Sequence, residues 1–399
     1  MKIIFPLILG VIAALTHFVW LSLWLFPMAI YFLFSLLPGV SLPNFIRSAS
    51  MLPSRILFIF PILFLIFYST EFDLTRDIFN FHPNEREAIE LFSLLLNALV
   101  FSIGIALCRN RALPVGLKRF GLVVFFVEFF QYVIGVNINE NPQLYAYLIY
   151  VVVPLLVVDH FYTNKKIGSV KIIFTCILLF VILFFVFATR VPGLGIFVFI
   201  ACYFLWPYLK NRPKLYYLFI SIYFLLLLGT IIYYVYLTGL GSLIEYDDAS
   251  ENAFGKGVSG RMYIWPDLVQ RIYDNLWTGM CSNCTTEKFY NFDFTRNISS
   301  HNTFLEIAFR YGLVGLALLF ILVFSLAAGF RRTGGCTTNA RFGFAYLMSS
   351  MLFMSSNEFG LTQTFVANGI FWFILGVCYG RTLPVSNTAL ISEHPIHVL

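Results

Sequence analysis

The chain is predicted to be all-α, a polytopic bundle of transmembrane helices with one large loop in water. Hydrophobic residues make up 59% of its 399 residues and charged residues only 12%, with a mean hydropathy of +0.83. A soluble protein of this size cannot cover so much apolar surface. The sequence has long apolar runs rather than short strands of alternating polarity, which favours helices over a barrel. A single sizeable polar segment, 239–300, interrupts these runs.

Most of the apolar runs are long enough to cross a bilayer as helices. The first run continues well past the apolar core of a cleaved signal peptide, so it is interpreted as a retained membrane helix. The first two runs are short for two crossings, and they form either two spans or one long element. The pattern predicts about twelve spans, at 3–20, 22–38, 52–69, 88–107, 120–136, 144–159, 171–188, 191–209, 215–237, 311–330, 341–355 and 362–380.

The distribution of charge predicts the orientation of these spans. Most of the 26 Lys and Arg residues lie in one alternating set of connections, and most of the 20 Asp and Glu residues lie in the other. The positive-inside rule therefore predicts an even number of spans and two cytoplasmic termini. The net charge of +6 reflects this topology and does not indicate a nucleic-acid partner. Four regions result: N-terminal helices 1–238, an outer loop 239–310 with the candidate site, C-terminal helices 311–381 and a cytoplasmic tail 382–399.

Two of the seven cysteines, Cys281 and Cys284, lie in the predicted outer loop. Their close spacing in an oxidising compartment favours a disulfide. Zinc would need two more ligands, and no residues are suitably spaced to supply them. No metal site is predicted.

The outer loop ends in a helix start that carries a histidine. Thr303-x-x-Glu306 has the pattern of a capping box, so a helix is predicted to begin there and to continue through Gly312 into the next span. His301 and Asn302 then lie at the helix N-terminus, where the helix dipole favours the neutral imidazole that a general base requires. The alternative is a capping or packing histidine, which is the commoner role of a lone His.

A second helix is predicted earlier in the same loop. Pro266 suits a first helical turn, which places Arg261 just upstream of the helix. An apolar stripe faces one side, and Arg271 lies on the opposite, polar side. Such a helix lies along the membrane surface or caps the bundle, and Trp265 and Trp277 suit that level. Taken alone, Arg261 is equally well explained as an exposed charge on a lid.

Three further ionisable residues are candidates. Arg190 lies at a tight outer turn between two apolar runs. It is either an interfacial anchor or a guanidinium that binds the phosphate oxygens of a lipid diphosphate. Glu128 lies in the middle of a predicted span, where it is either functional or a protonated carboxyl hydrogen-bonded between helices. Glu358 is predicted to face the outer side, where it could line the same cavity as the other candidate site residues.

These motifs, in this order, resemble the O-antigen ligase/polymerase superfamily over about residues 170 to 330. That superfamily includes the ligases (WaaL-type) that attach polysaccharide to lipid A core and the polymerases (Wzy-type) that extend it. The resemblance rests on Thr189-Arg190, Gly260-Arg261-x-x-x-Trp265, His301-Asn302-x-x-Leu305-Glu306 and Tyr311-Gly-Leu-Val-Gly315.

The resemblance implies a helical membrane glycosyltransferase of the GT-C-like kind in the bacterial inner membrane. The reaction would take place on the periplasmic face, without metal, cofactor or nucleotide sugar. The donor would be a glycan on undecaprenyl diphosphate, and the acceptor would be a sugar hydroxyl of a lipid-linked repeat or of lipid A core. Membrane lipids are the other expected partner, and no nucleic acid is expected.

The resemblance also implies roles for individual residues. Arg190 and Arg261 would hold the diphosphate and stabilise charge on the leaving group. His301 would deprotonate or orient the acceptor hydroxyl for an inverting attack at the anomeric carbon. Supporting candidates are Asn302, Glu128, Glu358 and Arg271.

Polymerase is favoured over ligase, which remains the alternative. A ligase is expected to have a second His two residues before His301, where this chain has Ser299. The loop is also compact for docking lipid A core. A transporter of lipid-linked sugars ranks lower, because it predicts inverted repeats and a midplane site. Glu128 is the only clear midplane charge.

Overall fold

The computed structural model describes residues 37–68, 86–110, 150, 154, 169–186, 190–241, 261–279, 302–332, 337–355, 361 and 365–383. Within these ranges the chain forms helices and turns and no strand. The helices are α1 (Leu42–Ala49), α2 (Leu52–Tyr68), α3 (Arg86–Asn110), α4 (Ser169–Val181), α5 (Arg190–Lys210), α6 (Pro213–Gly241), α7 (Arg261–Asp274), α8 (Thr303–Arg332), α9 (Thr337–Met354) and α10 (Phe365–Thr382). A π-helical turn, Ile182–Val186, extends α4.

The described part of the chain is all-helical and compatible with a helical membrane protein. Among the described residues, four helices are long and apolar enough to cross a membrane, and a fifth span results if α1 and α2, which meet at 78°, are counted as one. Helices α2 to α6 and α8 to α10 coincide with predicted apolar runs. The count of twelve stays a prediction, since runs 3–20 and 120–136 lie outside the described residues. Most of the polar loop around α7 also lies outside the described residues.

Helix α3 lies at the centre of the bundle. Its membrane-length segment is 83% buried, whereas that of α6 is only 22% buried, so α6 presents most of its surface outward. The most extensive helix packing joins α3 to α10, and glycines set the distance between them. A Cβ on Gly376 would lie 2.3 Å from the carbonyl oxygen of Phe101, and one on Gly104 would lie 2.7 Å from that of Phe373. This packing holds α3 firmly in place.

A second group of helices packs around α9. Ser349 Oγ donates a hydrogen bond of 2.7 Å to the Gly195 carbonyl of α5. Tyr223 Oη of α6 donates one of 2.9 Å to the Met348 carbonyl. Such bonds satisfy polar groups where water is absent and fix neighbouring helices in register.

Candidate functional site

Several predicted site residues lie outside the part of the chain that the structure describes. They are His301, Glu128, Glu358, Cys281 and Cys284. Their predicted roles therefore remain predictions. Asn302, next to His301 in sequence, and Ser355, three residues before Glu358, are described.

Arg190 and Arg261 are each the first residue of a helix, α5 and α7 respectively. The expectation that Arg261 lies upstream of its helix is wrong, because α7 begins at this residue and Pro266 lies in its second turn. A proline there removes an intrahelical hydrogen bond and crowds the carbonyl four residues earlier, while three apolar side chains of α7 are buried against the bundle. Both arginines thus lie at the positive end of a helix dipole, which favours an anion.

Helix α7, which we call the lid, packs on α6 and α8. Trp265, Leu268 and Ile272 are buried against the bundle. Tyr273 is 72% exposed, and Trp277 is 68% exposed. These two aromatic rings suit the interface between membrane and water. Arg271 is half-buried on this helix.

Asn302 begins α8 and joins it to the end of α9. Its Oδ1 accepts hydrogen bonds from the backbone N–H groups of Phe304 at 2.9 Å and Leu305 at 3.1 Å. Asn302 is thus the cap of α8, one residue before the predicted capping position. Its Nδ2 donates a bond of 2.8 Å to the Ser355 carbonyl. Asn302, which follows His301 in sequence, is fully buried. It contacts Ser355, which lies three residues before Glu358 in sequence.

A buried ionic cluster, which sequence reasoning missed, lies further along α8. Arg310 pairs through Nη1 with Glu90 Oε2 of α3, and its Nε donates to Glu306 Oε1 at 2.5 Å. Tyr311 Oη donates to the other Glu90 oxygen at 2.9 Å. All four side chains are at least 94% buried. The spacing of Glu306 and Arg310, four residues apart on one helix, was a signal for part of this cluster.

Helix α8 does not continue regularly into its span, contrary to expectation. Gly312 has φ 62° and ψ −162°, so the helix breaks there. Beyond the break, residues 313–332 alone extend about 30 Å, enough to cross the hydrocarbon core. We call the preceding segment, residues 303–311, the site helix; every residue in it is buried. It is a separate short helix inside the bundle.

The turn after α7 explains why the break falls at Gly312. A Cβ on Gly312 would lie 2.3 Å from the Trp277 carbonyl, and one on Gly279 would lie 2.4 Å from that of Arg310. The Leu313 N–H donates a bond of 2.8 Å to the Leu276 carbonyl. Only glycine allows two main chains to approach so closely with positive φ. The lid is therefore attached by backbone contacts beside the ionic cluster.

The site helix is held on four sides. Asn302 ties it to α9, Glu90 ties it to α3, and Leu276 ties the adjoining break to the lid. The Tyr311 ring also packs edge-on against Phe60 of α2, with centroids 6.0 Å apart. Such attachment preorganises the N-terminus of the site helix, which is capped by Asn302, the residue after His301 in sequence.

A small, half-open apolar groove with a cavity volume of about 50 Å³ lies between α4, α5 and α9. Its walls include aliphatic and aromatic side chains from all three helices, and Tyr150 and Pro154 complete the lining. Such walls suit a short hydrocarbon segment chemically, because they offer contact area without an exposed polar group to desolvate.

Comparison with known families gives one match. Residues 174–320 match the family described as O-Antigen ligase (Wzy_C). The matched segment contains α5, α6, the lid, the site helix and the break at Gly312. It confirms the resemblance to the O-antigen ligase/polymerase superfamily, whose members are glycosyltransferase-type enzymes, but it does not separate ligase from polymerase. No curated protein matches the chain.

Proposed function

We propose, from the match of residues 174–320 to this family, that the protein transfers a glycan from undecaprenyl diphosphate to a sugar hydroxyl. The reaction takes place on the periplasmic face of the inner membrane and extends an O-antigen or related polysaccharide. The family match carries this proposal, because the matched segment contains Arg190, Arg261 and His301 in the order that the resemblance requires.

The chemistry suits the residues. A diphosphate is a good leaving group, so positioning and stabilisation of its charge can supply most of the catalysis. Arg190 and Arg261, at the starts of two helices, provide guanidinium groups and backbone N–H donors for phosphate oxygens. His301 accepts the proton of the acceptor hydroxyl, and the anomeric carbon is inverted when the glycan leaves the diphosphate.

The apolar groove supports a lipid-linked donor. Its lining, which includes Ile172, Ile196 and Phe342, has the chemistry of a site for an isoprenoid tail. A donor held by its tail in the bundle would present its diphosphate at the membrane surface, where the two arginines are expected.

Lipopolysaccharide from a deletion strain separates the candidate functions. Loss of a polymerase leaves core bearing a single repeat, which is the result we expect. Bare core with accumulated lipid-linked polymer would identify a ligase instead, the alternative that the family match also allows. Unchanged surface glycan would contradict both.

Complementation of that strain tests the residues. We expect His301→Ala to restore normal protein levels but no polysaccharide ladder, since loss of a general base costs about 10²–10⁴-fold. Arg190→Lys and Arg261→Lys should restore little, because Lys cannot bind two phosphate oxygens at once. Arg212→Ala, an exposed change in the α5–α6 connection, is the control and should complement fully. A normal ladder from His301→Ala would reject its role.

A further inference from the structure

The ionic cluster connects two parts of the bundle that are 221 residues apart in sequence. We propose that Glu90 is a positioning residue for glycan transfer: through Arg310 and Tyr311 it fixes the site helix on α3, and with it the direction of the helix N-terminus. This inference rests on the proposed function and adds to it a residue outside the segment that matches the family.

Glu90 uses both carboxylate oxygens for this purpose. Oε1 accepts from Tyr311, and Oε2 pairs with Arg310. Successive helical residues point about 100° apart around the axis. Two attachments from successive residues therefore restrain rotation of the site helix as well as its distance from α3.

The partner helix is suited to act as a reference. Helix α3 is mostly buried and is packed against α10 through glycines that leave little room for movement. Glu90 is the first residue of the mostly buried segment of α3, Glu90–Cys108. A contact to Glu90 therefore fixes the site helix relative to the most extensively packed pair of helices among the described residues, α3 and α10.

The cluster acts at a distance from the reacting groups. Arg310 lies eight residues beyond Asn302, about 12 Å along the helix at 1.5 Å per residue. Its side chain is already engaged by Glu90 and Glu306. Glu90 and Arg310 are thus positioning residues rather than catalytic residues.

Stability alone does not account for such a cluster. Apolar residues of similar volume often stabilise a protein as well as a buried ion pair does, or better. A buried ion pair does, however, define one relative orientation of two helices, because its hydrogen bonds are directional. That property is what a helix needs when its N-terminus must face two substrates.

The first test measures kinetics in lipid nanodiscs, with a glycan on undecaprenyl diphosphate as donor and values expressed per folded molecule. We expect Glu90→Gln to lower kcat about 10–100-fold, the scale for displacement of reacting groups by about 1 Å, with KM for the donor within about twofold. Glu90→Asp should recover part of the loss. Tyr311→Phe should lower kcat in the wild-type background but have no further effect in Glu90→Ala, where its acceptor is gone.

Ser102→Ala is the matched control. Ser102 is also buried on α3, but its Oγ bonds only the Ala98 carbonyl of the same helix in the contacts described, so kcat should stay at the wild-type value. An unchanged kcat for Glu90→Gln, or an equal loss for Ser102→Ala, would overturn the positioning role.

Hydrogen exchange tests the same inference without requiring activity. Amides of residues 303–311 should exchange at least tenfold faster in Glu90→Gln, while those of α10 keep the wild-type rate. Unchanged exchange in the site helix would overturn the inference. An inactive wild type whose site helix still loosens in Glu90→Gln would instead reject the proposed function and retain the role of Glu90 in holding the helix.

Discussion

Removal of the guanidinium at the centre of the ionic cluster is expected to destabilise the protein strongly. Arg310→Met keeps most of the side-chain volume but leaves Glu90 and Glu306 with no cation between them. The two side chains are only 6% and 4% exposed, so water cannot replace the lost partner. Leaving a buried charge unpaired costs about 3–5 kcal/mol. At about 2 °C per kcal/mol for a long chain, the apparent midpoint of thermal unfolding should fall by roughly 6–10 °C.

Thermal unfolding of detergent-purified protein, followed by intrinsic fluorescence at one scan rate, measures this change. Arg332→Met is the control, because Arg332 is an exposed arginine at the other end of α8. The triple variant Glu90→Gln, Glu306→Gln, Arg310→Met carries no charge in the cluster and should recover most of the midpoint. If Arg310→Met cost no more than Arg332→Met, or if the triple variant recovered nothing, the reasoning about buried charge would be refuted.

Three further changes test other parts of the structure. Asn302→Ala removes a helix cap and the bond to Ser355, so the unfolding midpoint should fall by an amount equivalent to about 1–2 kcal/mol, and a shift within error would contradict this. Ile196→Trp fills part of the apolar groove, and we expect a raised KM for a donor with a full-length polyprenyl tail but not for a short-chain analogue; equal KM changes for both would argue against tail binding there. Gly376→Leu cannot fit between α3 and α10 and should abolish folded protein on size-exclusion chromatography, whereas Gly229→Leu, in open space on α6, should leave the elution profile unchanged.

The helices could be predicted because a run of apolar residues of bilayer length has few alternatives to helix. Their ends were less predictable. Asn302 and Thr303 are both good caps, and the bond from Asn302 to the Ser355 carbonyl, which helps fix the start of α8, comes from a distant part of the chain. The start of α7 was misplaced because proline is most favourable in a first helical turn, and nothing local indicates that the helix begins five residues before Pro266.

The ionic cluster could not be predicted in full. Glu306 and Arg310 are spaced for an ion pair on one helix, but nothing local indicates that Glu90 completes it. The break at Gly312 was also hidden, since glycine occurs within membrane helices without breaking them. Its cause is the close approach of the Trp277 main chain, a tertiary contact.

The most direct test of the central claim is transfer by purified protein in nanodiscs. The substrates are a defined oligosaccharide on undecaprenyl diphosphate and a second lipid-linked repeat as acceptor, and mass spectrometry follows the products. We expect undecaprenyl diphosphate and a lengthened lipid-linked glycan to appear in equal amounts with wild type, and neither to appear with His301→Ala. Absence of both products with wild type, or equal yields from wild type and His301→Ala, would contradict the account.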